Sequence, residues 1–262
     1  MKLEGRLALV TGASSGIGAA AARALAERGA TVVLVGRRGD KLREVAGAIG
    51  PAAHVHPADV GDMDAVAGLG AAVESELGLP DVVVNNAGAG RFLFVDETTP
   101  AELVSQTSVP YLAAFFVTRA FVEGMIARGS GHVVCVNTPI SRVVWPGAIG
   151  YAGARWALRG FTEALRADLR GTGVGVTEVV PGKVSSDYFA ANPGAEDRIP
   201  SMERLMRGRT PAQCAAAIVR GIEREHGVVY TPPELRALAA AARLFPRPLT
   251  WLAARTGARR PA

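Results

Sequence analysis

Cysteine is nearly absent. The 262 residues hold two, Cys135 and Cys214. Neither has metal-ligand spacing or a neighbouring histidine, so a zinc module or a disulfide scaffold is excluded and a reducing compartment fits. Cys135 lies in an apolar run and reads as a small core residue. No uninterrupted apolar run reaches the roughly 18 residues that span a bilayer. No apolar leader precedes the first strand, since MKLEGRLALVTG enters a strand and its turn at once; the expected location is cytoplasmic. Acids are missing from residues 243–262. There Arg243, Arg247, Arg255, Arg259 and Arg260 supply a charge equal to the whole net +5 of the chain, leaving the body close to neutral. A neutral body argues against a nucleic-acid-binding protein, which carries its basic face on the fold. The tail reads either as a solvated end or as a peripheral membrane or partner contact. The second reading rests on Leu244, Phe245, Leu249, Trp251 and Leu252, which are interleaved with those arginines.

What is present is an alternation. Hydrophobic residues make up 49 % and charged residues 20 %, the composition of a folded chain with a large core and disorder only at its ends. Short Val/Ile/Leu runs are predicted as strands at 6–10, 31–35, 54–57, 82–85, 132–137, 174–180 and 228–230. Helices are predicted at 17–28, 40–49, 62–76, 151–170 and 211–224, with a long helical region over 100–128. Continuous rather than alternating apolar strands belong in a parallel sheet covered on both faces. Strand–helix repetition with short connections gives a single-domain, doubly wound α/β fold of the Rossmann kind, with about seven parallel strands and helices on both faces. The domain is expected over residues 1–235. It includes a long segment, about 182–210, that reads as a lid or as disorder. A basic, apolar extension follows over 236–262, with a helical stripe of Leu235, Leu238, Ala242 and Phe245 before Pro246.

Between the first strand and first helix stands TGASSGIG, Thr11–Gly18. Its glycines let backbone N–H groups approach a pyrophosphate at a helix N-terminus, with Gly12, Ser14, Ser15, Gly16, Ile17 and Gly18 as the binding residues. The second strand ends VVLVGRR. An acid that would hold a ribose 2′-hydroxyl is missing, and Arg37 and Arg38 suit a 2′-phosphate, so NADP(H) is expected over NAD(H).

With these motifs stand ADV at Ala58–Val60, NNAG at Asn85–Gly88, Tyr151 on its helix and PGKV at Pro181–Val184. In this order and spacing, over roughly residues 5–231, the chain resembles the short-chain dehydrogenase/reductase family, classical type. The resemblance implies that Asp59 and Val60 flank the adenine and that Asn86, Ala87 and Gly88 line the cofactor. It also implies that the turn of Pro181, Gly182 and Val184 faces the nicotinamide, and that subunits pair as homodimers or homotetramers. In the family a Ser, a Tyr, a Lys and an Asn carry the chemistry. Tyr151 matches the tyrosine. The serine position, thirteen residues earlier, is Thr138, which keeps a hydroxyl; Ser141 is a substitute donor at too short a spacing. The lysine position is Arg155, which shares a helix face with Tyr151 at i, i+4. A permanent cation there still favours the phenolate, but arginine is planar and does not pass on a proton. The asparagine position is Pro110, which fits a kinked helix and offers no amide.

Val143 and Trp145, with Tyr188 and Phe189 at the start of the lid, suggest an apolar pocket for a lipophilic small molecule. Leu158, Phe161, Leu165 and Leu169 suit either subunit pairing or packing on the sheet. Two functions follow from the residues. One is an NADP(H)-dependent oxidoreductase moving a hydride between nicotinamide and a lipophilic ketone or secondary alcohol, with Tyr151 as acid and base. The other is a non-catalytic NADP(H)-binding sensor or scaffold on the same fold.

Overall fold

The computed structural model describes residues 1–88, 90–185, 192, 194–201 and 207–259. Seven strands form one parallel sheet: β1 (Leu7–Thr11), β2 (Thr31–Gly36), β3 (Ala53–Pro57), β4 (Val82–Asn85), β5 (Gly131–Val136), β6 (Val174–Pro181) and β7 (Val228–Thr231). Their order is β3-β2-β1-β4-β5-β6-β7. The chain winds outward from β1 in one direction and then, from β4, in the other. The reversal opens a crevice beyond the carboxyl ends of β1 and β4.

The strands are apolar throughout because both faces are covered. Ala8 and Val10 of β1 point to one core with α1 (Gly16–Ala26), α2 (Gly39–Ile49) and α7 (Pro211–Glu223). Leu7 and Leu9 point to the other, with α3 (Met63–Glu76), α5 (Ala113–Arg128) and α6 (Ile149–Asp168). Leu158 and Leu169 are buried in this second core, with Phe161 and Leu165 packed against it, so that face of α6 belongs to the sheet. Cys135 and Cys214 are both buried, and burial pushes each thiol up to about 11.

The long helical region is not one helix. It divides into α4 (Pro100–Thr107), a π turn (Ser108–Leu112) and α5. Pro110 has no N–H to donate one turn back. The ladder widens around it, and the Ala113 N–H closes on the Ser108 carbonyl. By length and composition the 29-residue stretch Pro100–Arg128 does reach what a membrane crossing needs, contrary to the reading from apolar runs. Here its inner face, Val117, Phe121 and Met125, is core. Thr99 begins α4 with a reciprocal capping box to Glu102.

The extension folds as α8 (Leu235–Leu244) and α9 (Pro246–Thr256). Pro246 ends one helix and opens the next, a position where its missing N–H costs nothing. Of the expected stripe, Leu235 is buried and Phe245 is exposed, because Phe245 lies outside α8 at the bend.

Candidate active site

The glycine-rich turn is shaped by contact as much as by conformation. Gly12 has φ +65°, and a Cβ there would stand 2.9 Å from the Ala87 Cα. Gly18 faces the Gly12 carbonyl so closely that any side chain would overlap it. Thr11 pins the adjoining strand end. Its Oγ1 accepts from the Asn86 and Ala87 N–H groups at 3.0 Å each. The Asn86 amide donates to the Thr11 carbonyl at 3.0 Å. The segment after β4 is thereby held beside the first turn.

The second strand delivers its arginines to the same place. Arg38 Nη2 donates to Ser14 Oγ at 3.0 Å and to Ser15 Oγ at 3.1 Å. Arg37 faces Asp59 at 3.9 Å and remains mostly exposed.

At the other end of the crevice stand Thr138, Tyr151 and Arg155. The Tyr151 ring is packed between two groups. Gly90 approaches one side closely enough to exclude a Cβ. The Arg155 guanidinium lies 5.0 Å from the ring centroid. Arg155 is 7 % exposed. Its Nη1 donates to the Val136 carbonyl at 3.0 Å, and its Nη2 occupies space that only a glycine at position 88 leaves open. Its Nε is buried without a hydrogen-bond partner among the described residues.

A buried polar network sets this geometry. Asn137 receives the Thr138 N–H on its Oδ1 at 3.0 Å. Its amide donates to Glu178 Oε1 at 2.8 Å and to the Arg155 carbonyl at 3.2 Å. Glu178 is fully buried and is neutralised by Arg142. Arg142 also donates to the Tyr230 hydroxyl at 3.3 Å. Asn137, held by the carboxylate of β6, thus ties the backbone of Thr138 to the helical turn carrying Arg155. Sequence reasoning passed over Asn137, Arg142 and Glu178. An acid inside the apolar strand TEVV was the available signal, since a buried charge needs a partner.

Most of the expected residues line one crevice of about 640 Å³, within the usual range for small-molecule sites. From the nucleotide end these include Gly12, Ser14, Ser15, Gly16 and Ile17, then Arg37, Arg38, Asp59 and Val60. Asn86, Ala87 and Gly88 follow, and then Thr138, Tyr151, Arg155 and Pro181, Gly182 and Val184. Gly18 stands behind the turn and not in the crevice. Val143 is a correction: it is buried, 7 % exposed, outside the crevice wall. The Val143 N–H closes on the Pro139 carbonyl, and this tight turn presents Trp145 instead. Ser141 is no substitute donor: its hydroxyl is committed to the Thr138 carbonyl at 2.7 Å. Tyr188 and Phe189 lie outside the described residues. The aromatic wall is supplied by Phe92, which sequence reasoning missed. Phe92 meets Tyr151 at 5.0 Å and Trp145 at 6.3 Å between ring centroids. Ile199 packs on this group from the segment after β6. That segment's ends pair with each other, the Ser185 N–H donating to the Arg209 carbonyl at 2.9 Å.

Residues 6–196 match the family model for the short chain dehydrogenases. The chain belongs to the short-chain dehydrogenase family. Over 93 % of its length it is 32 % identical to the probable oxidoreductase EphD of Mycobacterium tuberculosis, covering 44 % of that protein. Of a glycine betaine reductase of Emericella nidulans, 38 % identical over 74 % of this chain, it spans 16 %, and of an uncharacterized oxidoreductase of Mycobacterium bovis, 34 % identical over 84 % of this chain, it spans 64 %. Among solved structures, a short-chain dehydrogenase from Streptomyces avermitilis superposes with a TM-score of 0.82 at 28 % identity, over 93 % of this chain and 95 % of that one. A metagenomic short-chain oxidoreductase in complex with NADP gives 0.70 at 32 % identity, over 84 % and 90 %.

Proposed function

We propose that this chain is an NADP(H)-dependent oxidoreductase acting on a lipophilic ketone or secondary alcohol, with Tyr151 as the acid and base. The observation that carries the reading is the shared crevice. Tyr151 and Arg155 form one end of it, and the glycine turn with Arg38 forms the other.

The residues present fit a phosphorylated dinucleotide. Gly12 lets the first turn and the Ala87 backbone close on each other, and Gly88 leaves room for the Arg155 guanidinium at the crevice. The N-terminus of α1 favours a pyrophosphate. Arg37 and Arg38 offer planar donors to a 2′-phosphate. The buried Arg155 Nε is an unused donor suited to ribose hydroxyls. When bound, the nicotinamide supplies or takes up the hydride. Tyr151 donates its hydroxyl proton to the substrate oxygen in reduction and takes one up in oxidation. Thr138 donates a hydrogen bond to that oxygen and holds it against Tyr151. Arg155 stabilises the phenolate left behind but holds its own protons, and Pro110 anchors no water, so Tyr151 is reprotonated from solvent reaching the crevice. Phe92, Trp145 and Ile199 exclude water from the substrate side and select apolar substrates.

In the same reading residues 1–235 are the catalytic domain and 236–262 an extension of it. The exposed apolar residues Phe115 of α5 and Trp156 of α6 suit pairing into homodimers or homotetramers.

The test is NADPH oxidation over a panel of lipophilic ketones, comparing the native chain with Tyr151→Phe and Arg155→Lys. The expected result is turnover by the native chain and a loss of about 10²–10⁴-fold in Tyr151→Phe with NADPH affinity retained. Tight NADPH binding with no turnover in the native chain, restored only by Arg155→Lys, would replace this reading with a cofactor-binding sensor or scaffold.

A further inference from the structure

Residues 235–262 hold six arginines and no acidic residue. Each helix has one buried residue: Leu235 on α8, 2 % exposed, and Ala253 on α9, 1 % exposed. Between them the chain turns large apolar side chains outward. Leu244 is 71 % exposed, Phe245 60 %, Trp251 61 % and Leu252 37 %. On α9, Arg247, Trp251 and Arg255 follow at i, i+4 and i+8 and share one face. The Arg255 guanidinium lies 5.3 Å from the Trp251 ring centroid. Exposed tryptophan, phenylalanine and leucine beside these arginines, in a stretch whose sequence holds no acid, form a surface that water solvates poorly and that anions attract.

We infer that the α8–α9 face docks on an anionic phospholipid surface. The charge decides the occupant. A second copy of this face would set arginine against arginine. A nucleic acid would leave Leu244, Phe245, Trp251 and Leu252 without an apolar partner. A bilayer interface takes both groups: the apolar side chains enter at headgroup depth while the arginines remain on the phosphates. The position of the face has a consequence for the crevice. Gly257, just past α9, lies against Pro146 and Pro200. These residues adjoin Trp145 and Ile199 of the crevice wall. Docking therefore brings the rim of the apolar pocket to the lipid, where a lipophilic substrate is concentrated. This last step rests on the proposed substrate class; the docking itself does not.

The test is co-sedimentation of the full chain with vesicles of phosphatidylcholine, alone or with about 30 % phosphatidylglycerol, at about 0.1 M salt, a concentration that leaves a Debye length of about 10 Å. The expected result is partition onto the anionic vesicles only, weakened by added salt. Each arginine contributes about fivefold near such a surface, so the double variant Arg247→Gln, Arg255→Gln is expected to bind about 25-fold more weakly. Trp251→Glu removes the apolar anchor and is expected to abolish partition. Retained NADPH binding shows that these surface variants are folded. Equal partition onto neutral and anionic vesicles, or native-like binding by both variants, would overturn the inference. So would a chain that ignores vesicles and self-associates through this face, becoming monomeric in Trp251→Glu. The readout needs no turnover, so failure of the proposed reaction would leave it intact.

Discussion

In the proposed reaction Arg155 is the residue on which the chemistry turns. Its guanidinium is longer than an ammonium and planar, and the fold accommodates both properties. The guanidinium carbon lies 5.0 Å from the Tyr151 ring centroid, one nitrogen reaches the Val136 carbonyl, and Gly88 leaves space for another. A cation therefore stands beside the tyrosine, which is compatible with the acid and base role proposed for Tyr151. Arg38 plays a different part at the opposite end. It is held over Ser14 and Ser15 with no carboxylate partner among the described residues. Arg38→Ala is expected to weaken NADPH binding by about 10–100-fold, the worth of one or two charge-assisted hydrogen bonds, and to leave NADH binding nearly unchanged. Titration of both nucleotides against the variant measures the split, and an equal loss for the two would remove Arg38 from the 2′-phosphate site.

At the scale of elements, the β1–α1 unit is an arrangement of close approaches. Gly18 abuts the Gly12 carbonyl and the Asn86 amide. A methyl group there has no rotamer to adopt and forces the helix off the strand. Gly18→Ala is expected to destabilise the fold by about 1–3 kcal/mol and to weaken NADPH binding, because the turn and the Asn86 segment shift together. Thermal unfolding with and without NADPH checks both effects; unchanged stability would mean the turn is looser than its contacts imply. The π turn at Pro110 shows the opposite behaviour. A residue that breaks a regular helix is absorbed by widening one turn, and α5 resumes in register to place Val117, Phe121 and Met125 in the core.

For the whole molecule, the pH response centres on His132 at the start of β5. It is 1 % exposed, its Nε2 lies 2.8 Å from Thr177 Oγ1, and burial pushes its pKa down to about 4. As pH falls, the unfolded chain takes up this proton first, near 6.5, while the folded chain resists to about 4. The stabilising contribution is therefore complete above pH 6.5 and is lost progressively between 6.5 and 4. Between pH 8 and pH 5 the loss is expected to be roughly 2 kcal/mol from this group. Urea unfolding of the native chain and His132→Gln at both pH values measures it, and an identical pH dependence in the two would show that His132 does not carry it.

The sequence by itself determined the fold class and the glycine turn at the end of the first strand. Both are written in local patterns: apolar runs of strand length and a glycine-rich stretch between a strand and a helix. Local patterns survive because they depend on near neighbours in the chain. Only the tertiary structure decided the rest. Val143 and Trp145 are two residues apart in one loop, and a single backbone hydrogen bond buries the first and gives the second to the crevice. Phe92, fifty-nine residues before Tyr151, becomes its ring neighbour through the sheet order. Asn137 and Arg142 from the connection after β5 and Glu178 from β6 make one network, since a buried charge is satisfied by whatever the fold brings beside it. Leu158 and Leu169 had two suitable destinations by periodicity alone. The packing of α6 on the sheet buried them, while the solvent-facing apolar side chains of α8 and α9 were left to find a surface outside the chain.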